Sequence, residues 1–200
     1  MIAIVNYGLG NLHSVQKATA HVGGEAVVTE IPQVILNAEK VILPGVGAFA
    51  DGMRGLRSRG LAEVVQEAAA LGKPLLGICL GMQLLFEESD EQGQHEGLGL
   101  LPGKVVQFRH PGIKVPQIGW NQLEVVKPSG LMNSIQDGDY VYFNHSYYCI
   151  PEETADVLTR TDYGVRFASS VARDNILGVQ FHPEKSQAVG LTILKNFVEL

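Results

Sequence analysis

Residues 74–86 read Pro-Leu-Leu-Gly-Ile-Cys-Leu-Gly-Met-Gln-Leu-Leu-Phe, an apolar strand that turns into a helix through Gly77-Ile78-Cys79-Leu80-Gly81. A residue held out on so sharp a strand-to-helix turn needs neighbours without a Cβ, so that strand and helix can approach each other. The layout is that of a nucleophile elbow with cysteine at its tip. At a helix start, free N–H groups and the positive end of the helix dipole favour a thiolate and stabilise negative charge on a substrate oxygen. The same stretch also reads as a buried cysteine packed behind an apolar strand.

The bulk numbers bound what such an elbow can belong to. Two hundred residues, 46% hydrophobic and 18% charged, suit one globular domain spanning 1–200. A net charge of −6 with scattered Lys and Arg leaves no footprint for nucleic acid. The opening Met-Ile-Ala-Ile-Val-Asn has no basic segment and reads as a first strand rather than a signal peptide. No apolar run approaches the roughly 20 residues that span a bilayer, so no membrane association is expected. Cys79 and Cys149 lie far apart without metal-type spacing, which points to free thiols in a cytoplasmic protein.

Along the chain, short apolar runs alternate with helical stretches up to Cys79. Strands are expected at Ile2–Asn6, Glu25–Thr29, Lys40–Leu43 and before Cys79; helices are expected up to Val22 and over 31–36, 49–58 and 61–71. Strands apolar on both faces and separated by helices indicate a parallel sheet covered on both sides. The second half carries strand-like runs at 105–108, 121–126, 140–143, 156–161, 165–172 and 176–180 with few helices, so antiparallel pairing is expected there. An amphipathic helix over 188–200 closes the chain, with Val189, Ile193, Leu194, Phe197 and Val198 on one side. Residues 87–96 hold five acidic residues and no Lys or Arg, and read as a solvated surface loop.

A cysteine nucleophile needs a base and a group to orient that base. Of six histidines, His182 stands out: it follows the apolar run Ile-Leu-Gly-Val-Gln-Phe and precedes Pro183-Glu184. At a strand end, residues i and i+2 share a side, so the Glu184 carboxylate can hold one ring nitrogen and leave the other for a thiol. Taken alone, His-Pro-Glu also spells a surface turn. Pro44-Gly45-Val46-Gly47, directly after a strand, can turn backbone N–H groups toward a developing oxyanion, or can be a plain tight turn. Tyr7-Gly8-Leu9-Gly10-Asn11 lacks the third glycine of a dinucleotide-binding loop.

In order, Pro-Gly-Val-Gly after a strand, Gly-Ile-Cys-Leu-Gly-Met-Gln and Phe-His-Pro-Glu closely resemble the class I, triad-type glutamine amidotransferase family over nearly the whole chain. The resemblance implies a three-layer α/β fold, with a mainly parallel central sheet flanked by helices and an antiparallel section in the C-terminal half. It implies that Cys79 attacks the side-chain amide of L-glutamine, that His182 is base and then acid, and that Glu184 orients it. Amide groups of Leu80 and of the strand carrying Val46 and Gly47 would form the oxyanion hole. Gln83 would help hold the glutamine, and His145, Ser146 and Tyr147 would contact its amino-acid end. No metal or cofactor is implied, and no residues have metal-ligand spacing.

Within the family, Tyr-Gly-Leu-Gly-Asn-Leu-His-Ser near the N-terminus, Ile-Gly-Trp-Asn at 118–121 and His-Pro-Glu-Lys-Ser-Gln at 182–187 resemble the histidine-biosynthesis branch. The pyridoxal-phosphate branch instead resembles Gly-Leu-Gln-Gly at its start. Two hundred residues leave no room for a second catalytic domain, so the ammonia would pass to a separate chain. The resemblance implies a (β/α)₈-type cyclase subunit as heterodimer partner, making imidazole glycerol phosphate and an aminoimidazole carboxamide ribonucleotide. Asn11, Trp120, Tyr142 and Lys185 are the candidates for the surface facing it. A glutaminase subunit of another synthase, or a free-standing cysteine hydrolase, are the alternatives.

Overall fold

The computed structural model describes residues 1–200. The first half alternates as the apolar pattern requires: β1 (Ile2–Val5), α1 (Leu12–His21), β2 (Ala26–Thr29), α2 (Pro32–Asn37), β3 (Lys40–Gly45), α3 (Phe49–Ser58), α4 (Leu61–Ala70), β4 (Leu75–Cys79) and the short α5 (Leu80–Leu84). Then come β5 (Phe86–Ser89), β6 (His95–Glu96), β7 (Leu101–Gln107), β8 (Gln117–Gln122), β9 (Glu124–Val125), β10 (Tyr140–His145), β11 (Tyr147–Pro151), β12 (Val157–Asp162), β13 (Arg166–Arg173), β14 (Ile176–Val179) and α6 (Gln187–Glu199).

An eight-stranded sheet in the order β2-β1-β3-β4-β14-β13-β12-β9 forms the middle layer. Successive residues of its parallel strands enter opposite cores, because side chains alternate across a strand. Ala3, Val5, Val41, Leu43 and Leu75 pack with α2 to α5, whereas Ile2, Ile4, Ile42, Leu76 and Ile78 pack with α1 and α6. On α6, Ile193, Leu194 and Phe197 are buried, each contributing about 1.5–3 kcal/mol of apolar burial, while Val189 and Val198 are only half-buried.

Three expectations change. The run at 176–180, expected to pair antiparallel, does so with β13 but pairs parallel with β4 on its other side, Val179 opposite Ile78. Its residues are buried on both faces, the signature of a central parallel strand. The run at 121–126 divides at the buried Leu123: β8 pairs with β10 in a separate two-stranded sheet, and β9 joins the main sheet beside β12. The acidic stretch at 87–96 is not simply a solvated loop. It contributes β5 and β6 to a four-stranded sheet, β11-β7-β5-β6.

The parallel strands all end on one side of the molecule. The loop after β1 carries Asn11, β3 runs into Val46 and Gly47, β4 ends at Cys79, and β14 leads to His182. Ligand sites of open α/β sheets lie at this carboxyl edge.

Candidate active site

Cys79 ends β4 with φ +54° and ψ −110°. A non-glycine residue in such a conformation costs on the order of 1–3 kcal/mol and persists only where its surroundings impose it. Here the glycines impose it. A Cβ on Gly77 would lie 2.7 Å from the carbonyl oxygen of Gly81 and from the backbone of Met82, and one on Gly81 would overlap the carbonyl oxygen of Leu43. The helix that follows is five residues long. Its macrodipole is correspondingly small, and its contribution to the site is the local N–H groups of the first turn.

Beside β4, β14 brings His182 to the elbow, where its backbone N–H donates to the Tyr142 carbonyl (2.9 Å). His182 and Glu184 meet, but not as residues i and i+2 of a strand. His182 precedes a 3-10 turn, Pro183–Lys185, and this turn folds the carboxylate back onto the ring. Nδ1 donates to Glu184 Oε1 at 2.9 Å, with the two side chains 2% and 1% exposed. Nε2 has no hydrogen-bond partner and faces the Cys79 side of the site. Burial works against a charge on this ring, yet the neighbouring Cys79 sulfur and the Glu184 carboxylate outweigh it and push the His182 pKa up to about 10.

On its other side Cys79 lines a cavity of about 210 Å³, together with Val46, Gly47, Leu80, Gln83, Glu91 and the segment Asn144–Tyr147. This is below the roughly 300–1,000 Å³ of sites for drug-sized ligands and suits an amino acid. Neither the Val46 nor the Gly47 N–H has an acceptor within the chain, and Gly47 sits at φ +112°. The strand can therefore present these donors to an anion. The Tyr147 carbonyl accepts from Gln83 Nε2 at 3.0 Å and from His145 Nδ1 at 2.7 Å, which fixes the segment that closes the cavity.

A family model described as Glutamine amidotransferase class-I matches residues 3–200. The chain belongs to the class-I glutamine amidotransferase family. It is 54% identical to an "Imidazole glycerol phosphate synthase subunit HisH" from Moorella thermoacetica over 100% of this chain and 94% of that one. The corresponding subunit from Geobacter metallireducens is 52% identical, over 98% and 96% of the two chains. Among solved structures, a glutamine amidotransferase superposes with a TM-score of 0.78 at 19% identity over 100% of both chains. The PurLQS structure from Thermotoga maritima gives 0.76 at 21%, over 99% of this chain and 97% of that one. These likenesses agree with the three-layer α/β architecture.

The amidotransferase site includes residues that sequence reasoning passed over. Glu91, within the stretch read as solvated, is the one carboxylate lining the cavity; its Oε2 accepts from the Phe49 N–H at 2.7 Å. Partial burial raises its pKa, against the hydrogen bond from Phe49. Gln180 directs Nε2 toward Cys79 Sγ at 3.8 Å. It directly follows β14, two residues before His182, and that closeness to the base was the available signal.

His145, expected at the amino-acid end of the substrate, has both ring nitrogens engaged, Nδ1 with Tyr147 and Nε2 with the Gln117 side-chain amide at 3.0 Å. Its ring therefore braces the segment carrying Ser146 and Tyr147. Trp120, 46% exposed, packs edge-on against Tyr142 with centroids 6.1 Å apart, and Lys185 Nζ lies 5.7 Å above the Tyr142 ring. Asn11 is exposed and makes no capping bond to α1. No helix of the amidotransferase is long and apolar enough to cross a membrane.

Proposed function

We propose that residues 1–200 work as one cytoplasmic catalytic unit, the glutaminase subunit of an imidazole glycerol phosphate synthase. It hydrolyses L-glutamine to glutamate and ammonia and passes the ammonia to a cyclase subunit. The observation that carries this reading is the Cys79 sulfur set between an amino-acid-sized cavity and the buried His182–Glu184 pair. The full-length relatives named as the HisH subunit of that synthase support the choice of acceptor.

In the first half-reaction, Cys79 Sγ attacks Cδ of the glutamine side chain, and the carbonyl π pair moves onto oxygen. The Leu80 N–H and the unpartnered N–H groups of Val46 and Gly47 receive that oxyanion. His182, charged at neutral pH, gives its Nε2 proton to the amide nitrogen as the C–N bond breaks. Ammonia leaves, and a thioester remains. Water then attacks the thioester, His182 Nε2 takes the water's proton, the C–S bond breaks and glutamate departs. Glu184 keeps the ring in place through both steps. Splitting amide hydrolysis in two releases ammonia before water enters.

Substrate recognition follows from charge. Glu91 takes the α-ammonium of glutamine, Gln83 offers its side-chain oxygen, and Ser146 and Tyr147 hold the amino-acid end. Trp120, Tyr142 and Lys185, which pack on one another, and Asn11 in the loop after β1 form the surface that meets the cyclase. The test is reconstitution with the cyclase chain. Cys79→Ala should abolish glutamine-dependent synthesis of imidazole glycerol phosphate and leave ammonia-dependent synthesis intact. Turnover of peptides or esters without glutaminase activity would instead make it a free-standing hydrolase, and glutaminase activity without cyclase association would assign it to another synthase.

A further inference from the structure

Two side-chain amides connect the wall of the cavity to the reacting sulfur, and their orientation can be worked out from one fixed point. The Tyr147 carbonyl can only accept, so the Gln83 atom 3.0 Å from it is the NH₂ group. The same NH₂ lies 3.1 Å from the Gln180 side chain, which must therefore present its oxygen there. The remaining end of the Gln180 amide, its NH₂, then faces Cys79 Sγ at 3.8 Å. Gln180 is fully buried and Gln83 nearly so, which leaves neither amide free to turn.

We propose that Gln180 is a further catalytic residue, whose amide N–H stabilises the Cys79 thiolate, and that Gln83 positions it by holding its oxygen. An N–H donor aimed at a buried anion lowers the cost of the charge, and does so without the reorganisation that water would require. The other polar neighbour of the sulfur, the Asn144 carbonyl at 3.8 Å, accepts from the neutral thiol and favours the opposite state. Gln180 is the amide that offsets it. The titratable groups facing the sulfur are His182 after β14, Tyr7 after β1 and Cys149 in β11. Burial keeps the last two neutral, so among the side chains His182 and Gln180 are left to hold the negative charge.

This inference rests on Cys79 being the nucleophile of the proposed glutaminase, and the test separates the two. Gln180→Met keeps the buried volume and removes the donor. In the complex with the cyclase, the pH midpoint for alkylation of Cys79 by iodoacetamide should rise by about one unit, the scale of a hydrogen bond to a charged group. The kcat for glutamine should fall about tenfold with KM nearly constant. If Gln180→Met folds poorly, Gln83→Leu breaks the same chain one link away and should move the alkylation midpoint in the same direction. An unchanged midpoint in both variants overturns the proposal even if activity falls, because packing alone would then account for the loss. Wild-type protein that is alkylated at Cys79 but never hydrolyses glutamine would sink the glutaminase reading instead.

Discussion

Gly81 stands against Leu43 with no room between them: a Cβ on the glycine would overlap the Leu43 carbonyl oxygen. The contact ties the start of α5 to β3, and β3 is the strand that runs on into Val46 and Gly47. Elbow and oxyanion strand are thus held at one spacing by a missing side chain. Gly81→Ala should therefore cost more than 3 kcal/mol or prevent folding, since the obstacle is backbone. Gly72→Ala makes the comparison: at φ +77° with open space around it, it should lose only about 1–2 kcal/mol. Urea unfolding of both variants measures the difference.

Glu184→Gln keeps the size of the side chain that meets His182 Nδ1 and removes its charge. Without the carboxylate, the ring loses one of the two partners that hold its pKa near 10, so the histidine should titrate lower, as followed by NMR of the imidazole. Because a neutral amide can also bind the wrong tautomer, glutamine-dependent kcat should fall about 10²-fold or more with little change in KM. Ammonia-dependent synthesis by the complex should be untouched.

The elbow was legible because its constraint is local: glycines two residues either side of Cys79 state the close packing directly. The parallel strands β1, β3 and β4 were legible for the same kind of reason, as apolar runs bounded by turn residues. What could not be read was pairing at long range. Residues 176–180 look alike as a parallel or an antiparallel strand, and only their place between β4 and β13 makes the difference. Glu91 was lost in an acidic stretch because nothing in Glu-Ser-Asp-Glu tells which carboxylate turns inward. That choice is made by the Phe49 N–H, 42 residues away. The His182–Glu184 contact was foreseen with the wrong local geometry, because Pro183 starts a 3-10 turn where a strand end was assumed.

The Tyr7 hydroxyl is buried against Gly45 and has no hydrogen-bond partner. Its residue is 1% exposed, and burial first, then the nearby Cys79, hold its ionisation well above the ordinary range. An unpaired buried hydroxyl loses its hydration without compensation, so removing it should relieve that cost. Tyr7→Phe is expected to raise stability by about 1 kcal/mol and leave glutamine turnover within twofold of wild type. A loss of stability in thermal unfolding would show that the hydroxyl has a partner after all.

Glu91→Gln separates two roles of one carboxylate. The amide oxygen can still accept from the Phe49 N–H, so the start of α3 stays capped and the melting temperature should stay close to wild type. What disappears is the negative charge proposed to face the α-ammonium of the substrate. KM for glutamine should then rise about tenfold or more at nearly constant kcat, the loss of one charge-assisted hydrogen bond made equally in ground and transition states. A melting temperature that falls while KM holds would place Glu91 in the support of α3 alone.

His145 contributes to the loss of stability in acid. Burial, with the His182 charge adding to it, lowers its pKa to about 4, against the hydrogen bond to the Tyr147 carbonyl. In the unfolded chain the same ring titrates near 6.5. Between these values the unfolded state binds the extra proton, so the stability His145 contributes is fully present above pH 6.5 and is lost as the pH falls toward 4. The shift corresponds to at most about 3 kcal/mol. His182 moves the opposite way: its raised pKa supplies stability below pH 6.5 that disappears as the pH rises through about 10, and so adds no slope on the acid side. The raised pKa of Glu91 gives a slope of opposite sign in acid, so wild type alone is not diagnostic. The comparison is His145→Gln, which has no ring to protonate. Urea unfolding at pH 7.5 and 4.5 should show the variant less stable at the higher pH, with a smaller drop on acidification. Equal drops in the two proteins would move the acid sensitivity to another group.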